Sequence, residues 1–198
     1  MNAFVCLFIT YRLINFKFTI NYSFSKNKKT FYYFHQQDRR WNKLKYGKST
    51  IGNNGCGVAV LSMIHSAFAK EANPIYTAKW ITENYQINVG TPMDIMVKYL
   101  RFIGLDSGYL PREENLESSI NNNIFCVIVR SRFHYINKIL GLSNSHVLIL
   151  YEISGNKVYI ADSAHFSNSR KVMNLKNLKK RVDALPKSIT HPYIYVNL

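Results

Sequence analysis

The chain has 198 residues, 47% of them hydrophobic, which is enough for one domain with its own core. Its 26 Lys and Arg residues against 11 Asp and Glu residues give a formal charge of +15, which suggests an anionic cell wall or membrane surface as a partner. The basic residues are scattered, and neither a basic stripe with stacking aromatics nor a helix-turn-helix or zinc motif occurs, so specific nucleic-acid binding is not expected.

The first thirty residues are predicted to be an N-terminal extension, and residues 31–198 the domain. Ala3–Thr10 is apolar, but Arg12 and Lys17 interrupt the run before it reaches the roughly 20 residues that a membrane span needs. The basic start and the cleavage site of a signal peptide are also missing. A surface anchor, a weak export signal and translated sequence upstream of the true start stay open, and so does the choice between a cytoplasmic and an exported or membrane-associated protein. Ser23–Lys29 is predicted to be a polar, basic linker.

Cys56 follows a glycine-rich turn and begins an apolar stretch, for which a helix is predicted over Gly57–Ala69. Free backbone N–H groups and the helix dipole stabilise a thiolate at such an end. The pKa of the thiol then falls from about 8.5 toward neutrality, as a nucleophile requires. A buried structural cysteine is the alternative, and Cys126 is predicted to be one. Three widely spaced cysteines offer neither a disulfide framework nor a metal site, and no cofactor is expected.

Further elements are predicted in the middle of the chain. One helix is expected over Ile75–Tyr85, and a second begins with Thr91 as N-cap and a proline at its first position, and ends at Gly104. A short helix over Glu113–Asn121 then leads into an apolar strand over Phe125–Val129.

Two apolar, β-branched runs separated by a Ser-Gly-Asn turn predict a β-hairpin. His146 begins its first strand and Asp162 ends its second, so both are expected at the same end of the sheet. A histidine near a thiol takes its proton, and a carboxylate on the other ring nitrogen fixes the tautomer. An isolated histidine beside a strand is more often structural, but Cys56, His146 and Asp162 in this order indicate nucleophilic catalysis. His165, just after the hairpin, is the competing base.

The predicted elements end with a helix over Leu175–Leu185 and a strand near Tyr193–Val196. The apolar face of this helix consists of Leu175, Leu178 and Val182. Helices first and strands later indicate an α+β fold rather than alternating βαβ units.

Several motifs follow one another as they do in a known family of peptidases. They are Gln36-Gln37-Asp38-Arg39-Arg40-Trp41, Tyr46-Gly47, Thr50-Ile51 and Gly55-Cys56-Gly57, then an apolar strand, the strand led by His146 and the strand ending in Asp162. The chain thereby resembles the papain-like cysteine peptidases of the bacteriocin-processing, double-glycine leader type, and more narrowly their stand-alone relatives without a transporter. The resemblance extends from about Gln36 to the C-terminal strand. It implies a papain-like fold, with Cys56 on an N-terminal helix that packs on an antiparallel sheet carrying His146 and Asp162.

The resemblance also implies a role for each site residue. Cys56 is the expected nucleophile, His146 the general base and then acid, and Asp162 the carboxylate that orients the histidine. Gln36 is the expected oxyanion side chain, with the adjacent Gln37 as an alternative. The implied activity is that of a peptidase or amidase which cleaves a peptide or protein through a thioester intermediate.

The chain departs from the family pattern at three places. Val58-Ala59 stands where Pro-Thr or similar is usual, Ser145 replaces a glycine, and Ser163 replaces a proline. These changes remove no catalytic atom but bear on substrate fit and loop geometry. A non-catalytic peptide-binding module on the same fold, or a basic protein that binds nucleic acid or a membrane surface, is the alternative function. The oligomeric state is left open.

Overall fold

The computed structural model describes residues 22–131, 145–164 and 171–198. Its strands are β1 (Tyr22–Lys26), β2 (Lys29–Tyr33), β3 (Lys45–Tyr46), β4 (Ser49–Thr50), β5 (Ser107–Leu110), β6 (Asn123–Arg130), β7 (Ser145–Ser154), β8 (Lys157–Ala161), β9 (Lys171–Asn174) and β10 (Tyr193–Asn197). Its helices are α1 (Ile51–Asn54), α2 (Cys56–His65), α3 (Pro74–Asn84), α4 (Met93–Phe102), α5 (Leu116–Ser119) and α6 (Leu175–Asp183).

Within the described residues, six strands form one antiparallel sheet in the order β5-β10-β6-β7-β8-β9. Residues 124–129 of β6 are buried in succession, which means that both faces of this central strand are covered and explains its unbroken apolar run. Helix α2 packs against β7, and α6 packs against β6. The predicted α+β class is confirmed, because helices and an antiparallel sheet occupy largely separate parts of the chain.

The helix that begins with Cys56 lies inside the protein. Nine of the ten residues of α2 are buried, and the helix contacts β2, β7, α3 and α4. A helix that is apolar all round has to be covered on every side, which explains this central position. It ends at His65, four residues before the predicted end. There the Ser66 hydroxyl donates to the carbonyl of Met63 (2.6 Å) and accepts from the N–H of Tyr32 (2.8 Å), which joins the helix end to β2.

The linker predicted over Ser23–Lys29 is wrong, because these residues form most of β1 and the turn that joins it to β2. The turn residues Asn27 and Lys28 have φ angles of 50° and 63°, which is the backbone geometry of a tight two-residue hairpin. Asn-Lys is an unusual pair for such a turn, so no hairpin was predicted here. The hairpin crosses the predicted boundary between residues 30 and 31, and that boundary stays a prediction.

The remaining helices differ from prediction mainly at their ends. Helix α3 begins after Asn73, whose side chain accepts from two backbone N–H groups of the first turn. Helix α4 begins at Met93 with Pro92 as N-cap, so Thr91 is not the cap. The hydroxyl of Thr91 instead bonds that of Tyr46 at 2.7 Å. The short helix predicted over Glu113–Asn121 is reduced to the single turn of α5.

Two features of the C-terminal half agree with the sequence. Leu175, Leu178 and Val182 of α6 are buried, as its apolar spacing predicts. The β7–β8 hairpin turns at Gly155, whose φ of 52° favours glycine. No helix in the described ranges is long and apolar enough to cross a membrane.

Arg112 is predicted to stabilise the fold by holding the chain after α6. Its guanidinium donates to the carbonyls of Val182, Asp183, Pro186 and Ile189 at 2.7–3.3 Å. Two of these carbonyls lie in the last turn of the helix, where the backbone lacks intrahelical donors. We expect Arg112→Ala to lower the free energy of unfolding in urea by about 2 kcal/mol, the scale of hydrogen bonds to a charged group. The exposed Lys187→Ala variant is the control, and equal stability of both variants would contradict this role.

Candidate active site

Cys56 is the first residue of α2, and the backbone around it is tightly packed. A Cβ atom on Gly57 would lie 2.7 Å from both Cβ and Oγ1 of Thr91, so this position requires glycine. Thr91 is held in turn by the hydroxyl of Tyr46, a fully buried side chain. Burial raises the pKa of Tyr46, and the charge of a Cys56 thiolate adds to the rise, so this hydroxyl is neutral at physiological pH. The first turn of α2 is therefore fixed against the loop that precedes α4.

The β7–β8 hairpin brings His146 and Asp162 to one face of the sheet. Ile149 pairs with Ala161, so Asp162, one residue further, lies opposite Leu148. His146 precedes Leu148 by two residues, and side chains two apart along a strand share a face. The two side chains are therefore diagonal neighbours across the hairpin, as their positions in the sequence predict.

The imidazole of His146 and the carboxylate of Asp162 form a close pair. His146 Nε2 lies 2.6 Å from Asp162 Oδ1, and the side chains are 13% and 4% exposed. The same carboxylate oxygen accepts from the N–H of Ala164 at 3.1 Å, and the hydroxyl of Tyr33 donates to the Asp162 carbonyl at 2.6 Å. Since Nε2 is engaged by Asp162, Nδ1 is the nitrogen left to face Cys56.

The surroundings of Cys56 stabilise its thiolate. Burial alone would raise the pKa of the thiol, but the hydrogen bond and the positive charge of His146, with the N–H groups of Val147 and Gly57, bring this pKa below its usual value. Burial likewise would lower the pKa of His146, and the hydrogen bonds and charges of Asp162 and Cys56 raise it instead. Both shifts favour a thiolate–imidazolium pair.

The segment after β2 folds into a compact turn that directs Gln36 inward. The N–H of Asp38 donates to the carbonyl of His35 (3.0 Å), and the indole N–H of Trp41 donates to the same carbonyl (2.9 Å). The buried carboxylate of Asp38 accepts from the guanidinium of Arg40, with a closest distance of 2.7 Å. Asp38, Arg40 and Trp41 of the motif are thus joined by hydrogen bonds around one turn, which directly follows Gln36.

The two glutamines of this motif differ in how they are held. The buried Gln36 has its Oε1 3.2 Å from the Ser163 hydroxyl, and its Nε2 donates to the carbonyl of Gly52 at 2.9 Å. Its backbone N–H also donates to the carbonyl of Ser163 at 3.0 Å. The half-buried Gln37 donates to the same Gly52 carbonyl at 2.5 Å. Gln36 therefore connects the residue after Asp162 with the helix that precedes Cys56.

Several residues of this site were not assigned from the sequence. Tyr33, Tyr46 and Thr91 support it from three separate segments. Tyr46 was noted only as part of a motif and Thr91 only as a predicted N-cap, and Tyr33 gave no signal. Ser163 was noted in the sequence only as a departure from the family pattern, and no function was assigned to it. Cys126 is fully buried in β6, where burial raises the pKa of its thiol to about 12, in agreement with the predicted core position. Cys6 and the competing base His165 lie outside the described residues.

The described ranges hold no group of three or more His, Cys, Asp or Glu side chains that could bind a metal ion. The side chains that the fold brings together here are a thiol, an imidazole, a carboxylate and an amide. Such a set transfers an acyl group from a substrate carbonyl to sulfur and then to water.

Comparison with known proteins identifies a family and a fold for this chain. The model of the Peptidase_C39 like family matches residues 28–185. A solved structure of a C39-like peptidase from Bacillus anthracis is 14% identical, with a TM-score of 0.52 over 83% of this chain and 94% of that one. The peptidase domain of Streptococcus ComA, a bi-functional ABC transporter involved in a quorum-sensing pathway, is 13% identical, with a TM-score of 0.51 over 72% and 90%. No curated protein sequence matches the chain significantly.

At these identities, the solved structures establish the fold alone. The predicted papain-like architecture is confirmed, since both neighbours are C39 peptidase domains. The family model extends over most of the chain, from β2 through α6. The chain belongs to the Peptidase_C39 like family, whose members have the fold of cysteine peptidases.

Proposed function

We propose that this protein is a cysteine peptidase or amidase that hydrolyses a peptide bond through a thioester on Cys56. The observation that supports this most strongly is the position of His146, which is hydrogen-bonded to both Cys56 and Asp162. A structural histidine has no need of a thiol and a carboxylate on its two ring nitrogens. Membership of a family with a cysteine peptidase fold agrees with the same function.

The proposed reaction begins from the thiolate of Cys56 and the imidazolium of His146. The sulfur attacks the substrate carbonyl, and the negative charge passes to the carbonyl oxygen. Gln36 Nε2 has two hydrogens, one of which is donated to Gly52, and we assign the other to this oxyanion together with the N–H of Cys56. His146 then gives its proton to the leaving amine, and the thioester forms. Water, deprotonated by His146, then attacks the thioester, which releases the carboxylic acid and restores the thiolate–imidazolium pair.

The proposed substrate is a peptide or a protein. A net charge of +15 favours encounter with anionic surfaces such as cell wall or membrane. Attraction of this kind is screened by salt, because the Debye length is about 8 Å at physiological ionic strength. In this proposal the net positive charge localises the protein near its substrate, and the residues of the site carry out the reaction.

Alkylation by iodoacetamide tests whether Cys56 is primed, without any substrate. Because the pKa of Cys56 is lowered and that of Cys126 is raised to about 12, folded protein should react at Cys56 well below pH 8.5 and leave Cys126 unmodified. In His146→Ala only burial and the backbone N–H groups act on the thiol, so the midpoint of the pH profile should move up. Mass spectrometry of digests locates the label. Equal and slow labelling of both cysteines would refute the activated thiol.

Removal of each ionisable group of the site should lower the rate of hydrolysis to a different extent. With the p-nitrophenyl ester of acetyl-Gly-Gly as probe, we expect background rates for Cys56→Ser and a loss of about 10²–10⁴-fold for His146→Ala. Asp162→Asn should lose less, because the imidazole stays in place while its tautomer is held less well. The exposed His191→Ala variant is the matched control.

Wild-type protein that is alkylated at low pH but hydrolyses neither this ester nor a random peptide library would be a peptide-binding module instead. Full activity of His146→Ala would remove the whole arrangement and make His165 the base to examine.

The two glutamines are distinguished by separate alanine variants. Gln36→Ala should lower ester turnover by about 10²–10³-fold, the usual effect of losing one oxyanion donor. Labelling of Cys56 should hardly change, since alkylation develops no oxyanion. Gln37→Ala, which removes a neighbouring amide that bonds the same Gly52 carbonyl, is the matched control and should be nearly neutral. The reverse result would move the oxyanion role to Gln37 and leave the other three assignments standing.

A further inference from the structure

We infer that Ser163 is a positioning residue that holds the side-chain amide of Gln36 in the orientation needed to bind the oxyanion. This inference rests on the proposed function, and in particular on the oxyanion role of Gln36. Ser163 directly follows Asp162 and is fully buried.

Ser163 holds Gln36 at two points. The Ser163 carbonyl accepts the backbone N–H of Gln36 at 3.0 Å, which fixes the main chain beside the end of β8. The Ser163 hydroxyl donates to Gln36 Oε1 at 3.2 Å, which fixes the amide group itself. The first bond uses only the backbone and survives any substitution at this position. The second depends on the serine side chain.

The orientation of the Gln36 amide follows from the partners on its two sides. Oxygen and nitrogen of an amide have nearly the same shape, so hydrogen bonds alone decide which way the group faces. The Gly52 carbonyl only accepts, so Gln36 Nε2 has to face it, and Oε1 is left toward Ser163. In this arrangement both amide atoms are anchored inside the protein, and the second hydrogen on Nε2 has a defined direction.

Without the Ser163 hydroxyl, the side chain of Gln36 keeps only its bond to Gly52. That carbonyl also accepts from Gln37 at 2.5 Å, so the remaining anchor is shared by two amides. The buried Oε1 of Gln36 loses its hydrogen-bond donor, and the observed rotamer is then no longer lower in free energy than the alternatives. Ser163 thus makes Gln36, rather than Gln37, the glutamine with a fixed amide.

The test is a double-mutant cycle of Ser163→Ala and Gln36→Ala, with hydrolysis of acetyl-Gly-Gly p-nitrophenyl ester as the measurement. Ser163→Ala should lower kcat by about tenfold, the scale of one hydrogen bond between neutral groups, with KM unchanged. In the Gln36→Ala background, Ser163→Ala should have no further effect, because no amide is left to hold. The pH profile of Cys56 alkylation should stay that of wild type. Ser62→Ala, which removes another fully buried hydroxyl from the middle of α2, is the matched control with unchanged kcat.

Each departure from this pattern has a distinct meaning. Wild-type kcat in folded Ser163→Ala would overturn the inference. An equal loss in both backgrounds, or a shifted alkylation profile, would overturn it as well and show that Ser163 acts through Asp162. If Gln36→Ala itself keeps full turnover, both the oxyanion assignment and this inference fall, whereas the roles of Cys56 and His146 are judged by their own variants.

Discussion

The packing of helix α2 against strand β7 decides what the thiol of Cys56 does. Burial by itself makes a thiolate unfavourable, and Cys126, buried among apolar side chains, shows the result. Cys56 is also buried, but the imidazole of His146 and the N–H of Val147, both on β7, lower the pKa of its thiol. Displacement of α2 by one turn, about 5.4 Å, would remove these partners and leave a second inert cysteine. The reactivity of the site thus depends on the register between one helix and one strand.

The segment from β2 to the turn around Trp41 supports the site from the other side. Tyr33 donates to the Asp162 carbonyl, and Gln36 is bonded to Ser163 through both its backbone and its side chain. These bonds fix the end of β8, the place where the carboxylate has to meet His146. The hairpin of β1 and β2 is therefore connected to the proposed catalytic residues through hydrogen bonds, not only through packing.

The sequence predicted the features that depend on local pattern. The β7–β8 hairpin, with His146 and Asp162 at one end, and the buried face of α6 follow from alternation, turn residues and helical spacing. Local pattern does not reveal partners that are distant in the chain. Threonine is a common N-cap residue, yet the hydroxyl of Thr91 bonds that of Tyr46 and the helix begins later. The β1–β2 turn was missed because Asn-Lys is an unusual pair for it, whereas the proposed role of Ser163 depends on a contact with the distant Gln36.

Tyr33 and Asp162 are 129 positions apart, and Gln36 and Ser163 are 127 apart. During synthesis, Cys56 leaves the ribosome long before His146 and Asp162 exist, so the nascent thiol has no imidazolium beside it. Contacts between such distant segments form late, since closing a long loop is entropically costly. An incomplete chain therefore has an ordinary cysteine, and reactive sulfur appears only once most of the polypeptide has been made and folded. With the proposed peptidase activity, this order of events would protect the growing chain and its neighbours from premature cleavage.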